Sequence, residues 1–180
     1  MLAIGIGTTG VGGPKRIVEM VEQAVGDRQV SKVNNSKEEP KEIESDDESK
    51  AYQEIKDQLG FDPARIIAVN KEMIYEHSEI DTDMQMAQLL YKFGDANISY
   101  TMSIPYYEEL MGSDLEDDVT NRYNFEEGKL KAEVTEYELP ESKKKRYSAT
   151  FEYQGVYYQL IGTIEKADFE EILKKLHFPS

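Results

Sequence analysis

The chain has no cysteine, only two histidines, and 21 basic residues against 36 acidic ones. Without cysteine there is no disulfide framework, thiolate nucleophile, thiolate-bound zinc or iron–sulfur cluster. The net charge of -15 opposes a phosphate backbone, whose binding needs Lys and Arg set against it, so nucleic acid is not an expected partner. A long apolar run is missing too. The most apolar stretch, residues 1–13 (MLAIGIGTTGVGG), falls well short of the ~20 residues that span a bilayer. It also lacks the basic start and cleavage site of a signal peptide. This stub reads either as a loosely packed N-terminus or as the outer end of a transmembrane helix whose beginning precedes this chain.

Catalytic signatures are also missing. There is no Gly-x-Ser-x-Gly, no Ser-x-x-Lys in a penicillin-binding context, and no His-x-x-x-His pairing for His77 and His177. The early glycines Gly5, Gly7, Gly10, Gly12 and Gly13 are not followed by Gly-Lys-Ser/Thr, so they do not make a phosphate loop. No cofactor and no enzymatic activity are expected.

What is present is enough for one domain with a core: 180 residues, of which 39% are apolar and 32% charged. The polar excess lies in discrete stretches. After the stub, Pro14 suits a first helical turn, and Ile17, Val18, Val21, Ala24 and Val25 recur at helical spacing before Gly26. Residues 14–34 are therefore a juxtamembrane helix followed by a short strand or extended lead-out. Residues 35–47 are dominated by acids and interrupted by Pro40, too poor in apolar groups to offset ordering entropy, and read as a linker. The folded unit is residues 48–180.

Within it, Ala51, Tyr52, Ile55 and Leu59 mark a helix over residues 48–59 that stops at Gly60. Strands follow over residues 73–80, 84–93, 97–104, 129–139, 147–153 and 156–163, with tight turns at Gly94-Asp95-Ala96 and Gln154-Gly155. Residues 106–111 read as one helical turn and 114–118 as an exposed acidic loop. Lys143-Lys144-Lys145-Arg146 reads as a solvated hairpin loop. Phe169, Ile172, Leu173 and Leu176 give a closing helix over residues 166–176. Helix, antiparallel strands, helix is the order of an α+β domain: an antiparallel β-sheet with flanking N- and C-terminal helices on one face.

Two sets of residues are candidates for chemistry. Asp81 and Asp83, and Asp114, Asp117 and Asp118, offer hard oxygen ligands of the kind calcium takes, although neither group has the twelve-residue calcium-loop spacing. Tyr100, Tyr106, Tyr107, Tyr153, Tyr157 and Tyr158 fall in or near strands. On an open sheet face they would form a recognition surface for a peptide or sugar.

The unit Tyr153-Gln154-Gly155-Val156-Tyr157-Tyr158-Gln159-Leu160-Ile161-Gly162, the segment Phe169 to Leu176, and Leu59-Gly60-Phe61 with Pro63 resemble a bacterial domain-of-unknown-function family, number 4367. Gly12 to Arg16 and Ala24 to Arg28 resemble the segment such proteins carry just outside a membrane helix. The resemblance implies an outward-facing domain of a single-pass, membrane-anchored protein at the cell surface of a Gram-positive bacterium. By analogy it implies a sheet like that of the photosystem-accessory (PsbP) and Mog1-like class. It carries over no catalytic residues. The expected function is a non-enzymatic extracytoplasmic sensing or interaction domain with a protein or cell-envelope partner, touching the membrane only through an N-terminal anchor. The alternative is a small-molecule or calcium-binding domain with a pocket between sheet and helices.

Overall fold

A computed structural model describes residues 46–67, 71–108 and 118–180. The expectations for the stub, the segment 14–34 and most of the acidic linker lie outside the described residues. Among the described residues, helix α1 (Asp46–Leu59) leads into strands β1 (Met73–Asp81), β2 (Met86–Phe93) and β3 (Ala96–Ser103). Strands β4 (Asp118–Glu127), β5 (Leu130–Glu138), β6 (Lys145–Tyr153) and β7 (Val156–Gly162) follow, and helix α2 (Lys166–Lys174) closes the fold. The seven strands form one sheet in the order β1-β2-β3-β7-β6-β5-β4, every neighbouring pair antiparallel. The α+β sheet with flanking helices is thus as the sequence pattern indicates.

Strand alternation sorts the side chains onto two faces. On one face the register aligns Leu89 with Tyr100, Tyr100 with Leu160, and Leu160 with Ala149, and each of these is buried. Tyr52 and Ile55 of α1 and Phe169, Ile172 and Leu173 of α2 complete the same core. Full burial of each large apolar side chain contributes about 1.5–3 kcal/mol, so this face carries the fold. α1 stops where glycine is needed: Gly60 has φ +80, a left-handed conformation that costs a Cβ-bearing residue but not glycine. The β6–β7 hairpin turns through Gln154 (φ 51) and Gly155 (φ 75), the paired positive φ of a type I′ turn.

Two sequence expectations are corrected. The stretch assigned to a loop around residue 118 contains the start of β4, which runs to Glu127. Its sequence, DVTNRYNFEE, hides the strand period because it is an edge strand. Only Tyr123 and Phe125 are half-buried, and the rest is exposed. The basic run is likewise only partly a loop, since Lys145 and Arg146 belong to β6. Lys145 sits 3.3 Å from both Glu136 and Glu138, whereas Arg146 is 4% exposed and its Nε donates to Thr163 Oγ1 at 3.4 Å.

Candidate functional site

The space between sheet and helices is where a ligand pocket was the alternative expectation. An extended strap just after α1 occupies its middle. Ala64 and Ile66 are buried in the core, and their backbone groups are taken up by tyrosine hydroxyls. Tyr100 donates to Ala64 O at 3.0 Å, and Ala64 N–H donates to the Tyr158 hydroxyl at 3.2 Å. Ile66 N–H donates to the Tyr52 hydroxyl at 2.9 Å. The opposite edge of the strap pairs with the C-terminal tail: Arg65 N to His177 O and His177 N to Arg65 O, both at 2.9 Å. An extended chain directs alternate backbone groups to opposite sides, which is why residues 64 and 66 meet the tyrosines and residue 65 meets the tail.

The hydroxyls continue from the strap to Glu48 of α1 in a directed chain. The Tyr91 hydroxyl donates to Glu48 Oε1 at 2.7 Å and lies 3.0 Å from the Tyr52 hydroxyl. With the Tyr91 proton committed to Glu48, the Tyr52 proton points to Tyr91, and the Tyr52 oxygen is left to accept Ile66 N–H. Every buried hydroxyl along this line is satisfied, as a low-dielectric interior requires. Burial holds Tyr52, Tyr91 and Tyr100 above the ordinary tyrosine pKa and pushes Tyr158 up to about 12, against the Ala64 N–H, which favours the phenolate. Outside the strap, Asp62 accepts from Lys56 at 2.7 Å and from Arg65 at 3.3 Å. These bonds, Lys56 first, lower its pKa.

The six candidate recognition tyrosines therefore separate. Tyr100 and Tyr158 are 0% and 1% exposed, which corrects their assignment to an open surface: their rings stack in the core at 5.9 Å, and Tyr158 stacks on Phe151 at 4.8 Å. Tyr153 lies on the same side of the sheet at its rim, where its hydroxyl donates to Pro179 O at 2.6 Å and its ring meets Phe178 edge-on at 4.8 Å. Tyr157 belongs to the far face. There Tyr106, 56% exposed, packs edge-on against it at 5.2 Å, and the neighbouring Tyr107 hydroxyl donates to Met84 O at 3.0 Å. Only this last group presents tyrosine to solvent as a cluster.

A model of a domain of unknown function, DUF4367, matches residues 64–176. The chain belongs to the DUF4367 family. The match begins in the strap, at Ala64, and ends at Leu176, just past α2, so the DUF4367 unit is the strap, the sheet and the closing helix, with α1 outside it. No curated protein and no solved structure is significantly similar to the chain.

The described acidic candidates of the DUF4367 unit, Asp81, Asp83 and Asp118, do not converge. Asp81 Oδ1 accepts from Asp83 N at 3.1 Å and Met84 N at 3.0 Å, the side-chain-to-backbone bonds that organise a short turn. This turn joins β1 to β2 at one edge of the sheet, while Asp118 opens β4 at the other. Six strand spacings of about 4.8 Å separate those edges. Asp114 and Asp117 lie outside the described residues, and among the described ones no three His, Asp or Glu side chains are grouped to hold a metal. His77 lines a shallow, open depression between α1 and β1 together with Asp47, Lys50 and Glu54. His177 lies beyond the last turn of α2, in the bridge to the strap.

The residues that sequence reasoning missed lie on the far face. Gln88, Ser99, Thr101, Ser148 and Gln159 are polar yet 2–4% exposed. Gln88 Nε2 donates to Ser99 Oγ at 2.8 Å, and Gln159 Nε2 to Ser148 Oγ at 3.4 Å. A signal was present: at Ser99 and Thr101 of β3 and Gln159 of β7 the polar residues are uncharged, whereas a solvated face ordinarily carries Lys and Glu.

Proposed function

We propose that this chain is a non-catalytic sensing or interaction domain on the outer side of a membrane-anchored protein of a Gram-positive bacterium. Its partner is a protein or a component of the cell envelope. The supporting observation is the division of the tyrosines: Tyr52, Tyr100 and Tyr158 are spent on the strap inside the core, and Tyr106 stands exposed against Tyr157. Exposed aromatic rings with a polar tip are the side chains most often found at the centre of binding surfaces. The kinship of the sheet to the PsbP and Mog1-like class belongs to the same proposal.

Co-sedimentation of the full chain with isolated cell-wall sacculi and with membrane vesicles from a Gram-positive bacterium tests the reading. The wild-type chain is expected in one of the two pellets. Tyr106→Ala is expected to weaken retention by roughly 30-fold, the effect of losing a ~2 kcal/mol anchor. Ile67→Ala, another exposed apolar position at 48%, is expected to leave it unchanged. Retention in neither pellet, or equal retention of Tyr106→Ala, contradicts the reading.

A further inference from the structure

The far face of the sheet carries a buried band that no described element covers. It runs obliquely from Gln88 on β2, through Ser99 on β3 and Gln159 on β7, to Ser148 on β6 and Thr135 and Tyr137 on β5, all between 0% and 5% exposed. On the same face, Asn97, Glu133 and Glu152 on either side of it are exposed. Side chains on a solvated sheet face are not buried to this degree, and α1, the strap and α2 all lie on the opposite face. The band crosses five adjacent strands, four spacings or about 19 Å. We infer that the band is the docking site of this chain's own N-terminal segment, residues 14–25, lying across it as an amphipathic helix.

Several observations favour that occupant. Twelve helical residues extend about 18 Å, which matches the width of the band. Five of their six apolar residues, Ile17, Val18, Val21, Ala24 and Val25, are small or branched and share a stripe that needs a surface. The helix-bearing face already carries α1, the strap and α2, and the far face has no described helix. The band suits this stripe because the amides of Gln88 and Gln159 are already bonded to Ser99, Thr101 and Ser148, and the apolar Met86 and Ile161 lie on the same face, 1% and 4% exposed. Finally, the chain preceding Asp46 meets the described fold at the β1 edge, where Asp47 and Lys50 flank His77 and Ser78. Twenty residues (26–45) extend up to ~70 Å, ample to round that edge. The β3–β4 connection also has to traverse the sheet, and its Tyr107 reaches Met84, but Gln88 lies further along β2, on the side of β3 away from β4. The inference stands on burial and chain path, whether or not residues 1–13 are anchored in a membrane.

The absence of cysteine makes the test direct. In the full chain, Thr101→Cys, at a position 3% exposed on the band, is expected to react with a maleimide more than about tenfold slower than Asn97→Cys on the same strand, because labelling requires local opening. Adding Val18→Asp and Val21→Asp is expected to bring the Thr101→Cys rate to that of Asn97→Cys. Ala149→Cys, buried on the helix-bearing face, reports whether the domain stays folded and is expected to remain protected in both backgrounds. Equal rates at positions 101 and 97 overturn the inference. So does protection that survives both aspartates, which assigns the cover to another part of the chain, or protection that fades on dilution, which assigns it to a second copy. Should the aspartate pair expose Ala149→Cys, Val21→Cys paired with Thr101→Cys in the otherwise unaltered chain decides: a disulfide on mild oxidation supports the docking, and none refutes it.

Discussion

Replacing Tyr100 and Tyr158 together by Phe keeps both rings and removes only the two oxygens that hold Ala64. The rings lie in the core, stacked at 5.9 Å, so packing is retained and the strap alone loses its anchors. Ala64 is 0% exposed, and water has no direct route to replace the lost partners. Leaving a buried backbone N–H or C=O unpaired costs about 1–3 kcal/mol. Two such groups on one residue amount to about 2–6 kcal/mol, a large share of the ~5–15 kcal/mol that separates folded from unfolded small domains. With a urea m-value of about 2 kcal/mol/M, the middle of the usual range, the midpoint of unfolding should fall by roughly 1–3 M, with m unchanged. Hydrogen exchange at Ala64 and Ile66 should accelerate before exchange in the central strands does. A double variant that loses less than ~0.5 kcal/mol would show that the strap does not depend on these hydroxyls and that the reading of the interior is wrong.

Two further outcomes follow from the same interior. Burial raises the pKa of Tyr52, Tyr91, Tyr100 and Tyr158 in the fold, so the folded state holds these protons more tightly than the unfolded chain. Their stabilisation is then full below the unfolded value near 10 and is lost as pH rises toward the folded values, about 12 for Tyr158. Urea midpoints measured from pH 8 upward should be flat until about pH 10 and then drop, together with a cooperative rise in phenolate absorbance. At the sheet rim, Phe178→Ala removes the edge-on contacts to Tyr153 at 4.8 Å and Phe151 at 6.1 Å. Because Phe178 is only partly buried, the loss should stay near 1–2 kcal/mol, and calorimetry should show a modestly lower Tm with retained cooperativity.

Much of this architecture was legible because apolar periodicity survives wherever an element has one wet side and one dry side. α1 and α2 show it in Ala51, Tyr52 and Ile55 and in Phe169, Ile172 and Leu173, all buried as the spacing implies. β6 shows it in Ala149 and Phe151. β4 was not legible, since an edge strand with two half-buried residues carries almost no period. Arg146 was misread because a run of four basic residues signals solvent, and strand alternation, which turns Lys145 and Arg146 to opposite faces, acts only once register is set. The tyrosines were the hardest. Whether a strand tyrosine is buried or displayed depends on which face it occupies, and adjacent Tyr157 and Tyr158 necessarily take opposite fates. Nothing in the sequence announces that the residues after Pro63 would cross the core and claim the hydroxyls of Tyr52, Tyr100 and Tyr158, because the demand comes from backbone groups rather than side chains.

The proposal that binding takes place at exposed Tyr106 and its partner Tyr157, and not between sheet and helices, is tested most directly by hydroxyl-radical footprinting. The full chain would be probed alone and bound to the envelope fraction that retains it. The account predicts protection centred on Tyr106 and Tyr157, with Tyr153 and the His77 depression unchanged. Protection at His77 and Tyr75 with Tyr106 still reactive would contradict it and move the site to the groove between α1 and β1.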